Sequence, residues 1–380
     1  MQKNYQHQLS DYQRDRPTTG PLQVWARLDM MLLFLVVLLS AFGLVVLYSA
    51  SEQNHAIMVR QSSYLAAAFF TMFILAQIDP RHLQRLAIPM FAIGILLLVA
   101  VLLAGTGAKG AQRWLAIPGL PRFQPSELMK LVVPIAVASY LAKRALPPSP
   151  KHLFFSFLFI VVSVGLIAKQ PDLGTSILIG ASGIFVIFLA GVSWKLVLFA
   201  IVGSLASLPG LWFVMRDYQR QRVLTLLDPE SDPLGTGWNI IQSKVAIGSG
   251  GMDGKGWLNG TQSHLDFLPE GHTDFIVAVL GEELGFLGVL FLMALYLMLV
   301  ARGAYIAITA DGMFNRLLAG SIILTFFVYV FVNIGMVTGM LPIVGVPLPL
   351  VSQGGTSLIT LMAGFGILMS INSHRTLMQQ

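Results

Sequence analysis

The chain has no cysteine at any of its 380 positions, so neither a disulfide framework nor a thiolate metal site can be built from it. It is also poor in charge. Asp, Glu, Lys and Arg make up 11% of residues while 55% are hydrophobic, whereas about a quarter of a soluble globular domain is charged. That balance excludes a water-soluble fold and requires a polytopic membrane protein. No internal repeat or low-complexity tract divides the chain, and one membrane domain is the simplest organisation. A nucleotide-binding loop is missing too, because the glycine-rich stretch from Gly248 to Gly256 lacks the spacing and the Lys-Ser/Thr ending of one. The histidines are scattered without metal-ligand spacing, so no metal site and no nucleic-acid partner are expected.

What the chain does have is a series of apolar runs, at about 29–50, 57–78, 83–104, 126–142, 153–169, 174–191, 194–214, 274–301, 315–337 and 357–372. Most approach the roughly 20 residues that cross a bilayer's hydrocarbon. The fourth to sixth are shorter and carry Pro134 or adjoin Pro171, which predicts tilting or kinking. The expected fold is all-α, with ten transmembrane helices and both termini on one side. Residues 1–28 are polar and read as a cytoplasmic tail, and 29–374 as the membrane domain. The first run begins too late and runs too long for a cleaved signal peptide.

Loop cations orient the chain. Thirteen of the 24 Lys and Arg fall on the N-terminal side and eleven on the other, but most of the eleven lie in two long loops, which weigh little in the positive-inside rule. The N-terminal side is therefore read as cytoplasmic. The outer face is more basic than topology requires, which points to an anionic ligand there.

Three outer loops stand out. Gly105 to Pro125 holds Lys109, Arg113, Trp114 and Arg122 among Gly and Pro, the composition of a structured turn-rich loop. The long insertion 215–273 contains Trp238, Ile241, Val245 and Gly248 at helical spacing, which predicts an amphipathic helix lying on the membrane surface along that stripe. Thr338 to Ser357 is apolar but rich in Pro and Gly, and such backbone is tolerated at membrane depth where it lines a cavity.

The stretch Leu268 to Glu283 puts chemistry at the mouth of a membrane helix. Asp274 falls in the expected first turn with Thr273 as candidate N-cap. Glu282 and Glu283 lie roughly 12 to 14 Å deeper at 1.5 Å per residue and point away from Asp274's face, so a structural role is expected of them. Ionisable groups at such depth face a cavity or a partner. Gly281, Gly285 and Gly288 form a small-residue stripe suited to helix packing. Glu127 and Lys130 stand three residues apart on one face of the fourth run. Taken alone, Asp274 could be an acid that answers the helix dipole, and Arg220 and Arg222 could anchor lipid headgroups.

Several of these stretches, read in order, resemble the SEDS family (shape, elongation, division and sporulation). They are Asp217 to Val223, Leu227 to Pro233, Ile241 to Gly251, Gly254-Lys-Gly-Trp257, Leu268 to Glu283 and Gly345 to Ser352, and the likeness runs from about Leu28 to Arg375. Gly254-Lys-Gly-Trp257 and Gly260-Thr-Gln-Ser263 are closer to the elongation branch. One departure is Gln353, where the family commonly has Tyr after Ser352.

The resemblance implies a ten-span glycosyltransferase of the bacterial inner membrane that polymerises lipid II on the outer, periplasmic face during cell elongation. A lipid II flippase and a non-catalytic scaffold for a penicillin-binding protein are the alternatives. Paired interrupted helices in repeated halves, usual in transporters, are not visible in the sequence. Joining α-linked lipid II into a β-1,4 polymer in one displacement needs a single base for the acceptor hydroxyl, and the resemblance assigns it to Asp274. Cations near the departing pyrophosphate should stabilise it, and the candidates are Arg220, Arg222, Lys244, Lys255, Lys109 and Arg113. Glu127 and Lys130 are implied to line the cavity, and Ser352 to contribute to it. The resemblance further implies a class B penicillin-binding transpeptidase and other elongation-complex membrane proteins as partners. No cofactor site is written in the chain, and a divalent cation bridging the lipid pyrophosphate is chemically reasonable.

Overall fold

The structure, a computed structural model, describes residues 27–108, 111–115, 123–215, 217–232, 235–264 and 271–374. The expected tail, apart from Arg27 and Leu28, lies outside the described residues, as does Lys109. In chain order the elements are α1 (Met30–Ala50), α2 (His55–Gln77), α3 (Pro80–Ala104), β1 (Thr106–Ala108), β2 (Ala111–Trp114), α4 (Pro125–Ala142), α5 (Pro150–Lys169), α6 (Leu173–Leu189) and α7 (Trp194–Val214). They continue with α8 (Asp217–Leu227), α9 (Thr236–Gly250), α10 (Thr261–His264), α11 (Ile276–Thr309), α12 (Met313–Val337) and α13 (Thr356–Ser373). Among the described residues eight helices are long and apolar enough to cross a membrane, and α6 and α7 are further apolar helices, so all ten expected runs are helical. The departure from an all-α chain is small: β1 and β2 pair antiparallel between α3 and α4.

Local chemistry starts the helices where the runs begin. Asp29, Asn54 and Asp79 accept main-chain N–H groups of α1, α2 and α3, and Pro80, Pro125 and Pro150 occupy first-turn positions that have no N–H to satisfy. The bundle centre is set by burial. In α4, 78% of the membrane-length window is buried, and 67% in α12 and in α13, against 17% in α2 and 22% in α3 and α5. The outer helices turn Phe34, Phe70, Leu96, Leu198 and Phe199 outward, as a hydrocarbon surround permits.

One end of the bundle is tied by a single buried carboxylate. Asp29 caps α1 through Leu32 N at 2.8 Å, pairs with the Arg302 guanidinium of α11 at 2.6 Å and accepts the Asn372 amide of α13 at 2.9 Å. Three helices distant in sequence thereby share one anchor. The β-hairpin and the long insertion lie toward the opposite end.

Two expectations for the insertion and the helix that follows it are corrected. The helix α9 forms, but its buried line is Ile240, Ser243, Ala246 and Gly250, which packs on α11, while Val245 and Gly248 of the expected stripe are exposed. Small residues win the contact face because close backbone approach, rather than side-chain oiliness, stabilises helix pairs in a membrane. The long helix α11 starts at Ile276 with Phe275 at the N-cap, so Thr273 is not the cap and Asp274 lies in the preceding turn.

Nor is α11 continuous. Gly285 stands at φ 63° and ψ −162°, outside the helical region, and interrupts the hydrogen-bond ladder. The loop after α9 fills the gap. Lys255 N and Gly256 N donate to the carbonyls of Glu282 and Glu283 at 3.0 and 2.9 Å, and Phe286 N and Leu287 N donate to Gly251 O and Met252 O at 3.0 and 3.2 Å. The Glu282 carboxylate accepts Lys255 Nζ at 2.6 Å and the main-chain N–H of Thr261 and Gln262 at 2.8 and 2.9 Å. Glu283 accepts the Ser49 hydroxyl at 2.5 Å. The glycine at 285 is therefore conformational rather than part of a packing stripe.

A methyl group at 285 would overlap the backbone of Gly254 and Met252 and would hold a left-handed φ. Gly285→Ala is expected to destabilise the protein by at least about 1–3 kcal/mol from the dihedral alone. Thermal unfolding of detergent-solubilised protein checks this, and a midpoint equal to that of the parent would contradict the account.

Candidate functional site

At the hairpin end a cavity of about 870 Å³ opens among α2, α4, α6, α12, the hairpin and the loop 338–355. Its polar wall starts on α4. Glu127 occupies the first turn, where the helix dipole favours an acid, and Lys130 three residues on sits over it, Nζ to Oε1 2.6 Å. Both side chains are buried, and Lys130 Nζ also lies 5.1 Å from the ring centre of Tyr329 on α12, within cation–π range.

A second group forms at the start of α6. Asp172 is the N-cap of that helix, accepting Thr175 N at 3.3 Å, and it also accepts the Gln124 amide at 3.1 Å. Arg113 from β2 approaches the same carboxylate at 3.8 Å and donates through Nη2 to Pro171 O at 2.5 Å. The lining thus has two acids and two cations, each cation beside an acid. Glu127 Oε2, the Tyr329 hydroxyl and Arg113 Nε are buried without a hydrogen-bond partner among the described residues. Buried polar atoms are normally satisfied, so these three mark places where water or a polar ligand group completes the wall.

Asp274 is not itself in the lining, but it neighbours Gly345, which is. The acid is half-buried in the turn 271–275, and its Oδ2 lies 3.5 Å from where a β-carbon on Gly345 would be. Gly345 lines the cavity with φ 74°, a backbone state that needs glycine. The main-chain carbonyl of Asp274 accepts the Asn333 amide of α12 at 2.9 Å. Gln353 also lines the cavity, and its N–H donates to His272 O at 3.0 Å, which joins the turn to the end of the loop.

Of the residues singled out from the sequence, Glu127, Lys130 and Arg113 meet in the lining and Asp274 adjoins it. The others lie elsewhere. Arg220 donates to Trp212 O and Phe213 O at 2.9 and 3.0 Å and so closes the C-terminal turn of α7. Arg222, half-buried on the same short helix α8, is not part of the cavity wall. Lys244 is exposed on α9 with its ammonium end beside Gly339. Ser352 is buried behind the wall, its Oγ accepting Leu348 N at 2.9 Å and its carbonyl accepting the Gln61 amide at 3.3 Å. Gln124, Asp172, Tyr329 and Asn333 were not singled out. Asp172 carried a readable signal as an acid just ahead of an apolar run, and Thr325, Tyr329 and Asn333 form a polar i, i+4, i+8 line on α12. Among the described residues no three His, Asp or Glu side chains gather as a metal cluster.

Known proteins resemble the whole of this architecture. Residues 29–377 match the family model of the FtsW, RodA and SpoVE cell cycle proteins. The chain is 53% identical over 367 residues to the peptidoglycan glycosyltransferase MrdB of Escherichia coli K12, covering 96% of this chain and 99% of that protein. It is 38% identical over 366 residues to a probable peptidoglycan glycosyltransferase FtsW of Geobacter metallireducens, covering 92% and 95%. Among solved structures, a chain of a peptidoglycan synthase complex superposes with a TM-score of 0.81 at 34% identity, covering 92% of this chain and 99% of that one. The rod shape determining protein RodA of Thermus thermophilus superposes with a TM-score of 0.69 at 30% identity, covering 92% and 97%.

The Lys130–Glu127 pair has a measurable signature. Lys130→Met leaves a buried carboxylate uncompensated and is expected to lower stability by about 3 kcal/mol, toward the lower end for broken buried pairs because the cavity admits water. Adding Glu127→Gln should restore most of that loss. Melting of the single and double variants in detergent measures it, and equal losses in both would show that the pair does not act as a unit.

Proposed function

The chain belongs to the FtsW/RodA/SpoVE family, and on that footing we propose that it is a multi-pass membrane peptidoglycan glycosyltransferase that polymerises lipid II during cell elongation. The observation that carries the reading is the half-buried carboxylate of Asp274 beside Gly345, a residue that lines a polar cavity at one end of the bundle.

In this reading the acceptor's 4-hydroxyl attacks the anomeric carbon of the donor while Asp274 takes the hydroxyl proton. The new C1–O4 bond forms as the C1–oxygen bond to the diphosphate breaks, and the polyprenyl diphosphate leaves with the bonding electrons. One displacement inverts the α linkage to β, so no second carboxylate is needed at the same carbon, by analogy with inverting hydrolases. Arg113 and Lys130 are the cations of the lining and supply the positive field that a departing diphosphate needs. A divalent cation that accompanied the diphosphate would meet the carboxylates of Glu127 and Asp172 on the same wall.

The cavity end faces the periplasm in this proposal, both termini are cytoplasmic, and the membrane is the bacterial inner membrane, as the loop cations suggest. A class B penicillin-binding transpeptidase that cross-links the product is the proposed partner, which agrees with the superposition on a synthase complex.

The test is glycan-strand synthesis from lipid II by the full chain with its transpeptidase, comparing the parent with Asp274→Asn. Loss of a positioned base is expected to slow polymerisation by on the order of 10²- to 10⁴-fold while the protein stays folded and membrane-inserted. Strand synthesis at the parental rate by folded Asp274→Asn would remove Asp274 from the chemistry.

A further inference from the structure

Asn333 lies on α12, fully buried, one helical turn beyond Tyr329 of the cavity wall. Its Nδ2 donates to two main-chain carbonyls, Asp274 O at 2.9 Å and Val346 O at 2.8 Å. Both acceptors belong to non-helical segments, the turn 271–275 ahead of α11 and the glycine- and proline-rich loop after α12. An amide nitrogen has two hydrogens, and here each is used on a different segment. The orientation follows from the partners, since a flipped amide would set its oxygen against two carbonyl oxygens.

The other half of the amide is unsatisfied. Asn333 Oδ1 is buried with no partner among the described residues. An aliphatic side chain at this position would leave no such orphan, but it would leave the carbonyls of Asp274 and Val346 without this donor. What the amide does achieve is spatial. Val346 follows Gly345, whose α-carbon faces Asp274 Oδ2, and Gly345 and Val346 both line the cavity. One side chain therefore sets how far the turn that carries the carboxylate stands from the loop that forms the wall beside it.

We propose that Asn333 is the positioning residue for Asp274, clamping the acid-bearing turn to the Gly345–Val346 wall so that the carboxylate holds its place beside Gly345. The proposal rests on the reading of Asp274 as the base. A donor to two carbonyls 2.8 and 2.9 Å away fixes their separation within narrow limits, and placement errors of about 1 Å at a reacting group cost on the order of 10²-fold in rate.

The experiment compares Asn333→Ala, the isosteric Asn333→Asp and Asp274→Asn as full chains with the transpeptidase. It measures lipid II polymerisation over a range of substrate, binding of fluorescently labelled lipid II, and melting in detergent. For both Asn333 variants kcat is expected to fall by on the order of 10²-fold, with KM and lipid II affinity within about threefold of the parent. That split supports positioning, because a merely structural role would move affinity and melting together with rate. A kcat within threefold of the parent in either Asn333 variant, alongside an inactive Asp274→Asn, overturns the positioning role and leaves the base intact. A parallel collapse of affinity, melting and rate in both Asn333 variants assigns the residue to the scaffold and also overturns it. Parental activity in Asp274→Asn removes the base itself and the proposal with it.

Discussion

Backbone that is not helical cannot stand in hydrocarbon without partners for its N–H and C=O groups, and in this protein the cavity is built where that constraint is met by side chains. The loop 338–355 and the turn 271–275 have no regular ladder. Their polar groups go instead to buried side chains of the bundle: Asn333 takes Asp274 O and Val346 O, the Tyr296 hydroxyl takes Pro349 O at 2.6 Å, and Gln61 bonds Ser352 O and Gly354 N. Ser352 closes the turn on itself through Leu348 N. The wall beside Asp274 therefore inherits its position from α2, α11 and α12, which are rigid elements, although the wall is itself a loop. Sites held this way keep their geometry better than sites on free loops.

The same constraint explains the acids deeper in α11. At Gly285 the helix ladder is interrupted, and the segment after α9 enters with four main-chain hydrogen bonds. Glu282 then receives an ammonium group and two main-chain N–H groups, and Glu283 a hydroxyl. Carboxylates so engaged hold one segment to another and have little capacity left for a substrate. Asp274 differs in place: it is half-buried in a turn ahead of the helix, next to Gly345 of the cavity lining. Depth in the membrane marks a carboxylate as constrained, and its surroundings decide whether the constraint is structural or chemical.

These distinctions bear on what the sequence could tell. The ten helical runs were readable because membrane length and apolarity are local properties, and Glu127 and Lys130 because they share one helix face, whereas Asp274 was picked out through the family resemblance. The pairing of Arg113 with Asp172, or of Asn333 with Asp274, joins residues 59 positions apart and leaves no periodic trace. Arg220, Arg222 and Lys244 were grouped with the site because they share a loop with the approach to Asp274, yet nearness along a chain does not decide where a side chain points. Arg220 turns back to the carbonyl end of α7 instead. The stripe on α9 was read from the oiliest residues, whereas the contact went to Ser243, Ala246 and Gly250. That rule, valid in water, reverses where lipid is as apolar as leucine.

The charge pattern of the lining bears on how an anionic donor is received. Among the described residues each cation of the lining stands beside an acid, so the field an anion meets depends on which pair opens. Lys130 is held by Glu127 at 2.6 Å with 9% of its side chain exposed and an aromatic ring against it. Arg113 is 3.8 Å from Asp172, has 35% of its side chain exposed, and retains an Nε without a hydrogen-bond partner among the described residues. Separating the first pair strands a buried charge, which is strongly unfavourable, while loosening the second frees a partly exposed guanidinium and leaves the buried Asp172 carboxylate with the Gln124 amide and Thr175 N–H. In the proposed reaction Arg113 is the candidate to turn to the diphosphate, its fork geometry being suited to the oxygens. Lys130 stays with Glu127 and contributes through its field, which leaves the inner wall fixed while the outer rim adapts to the lipid.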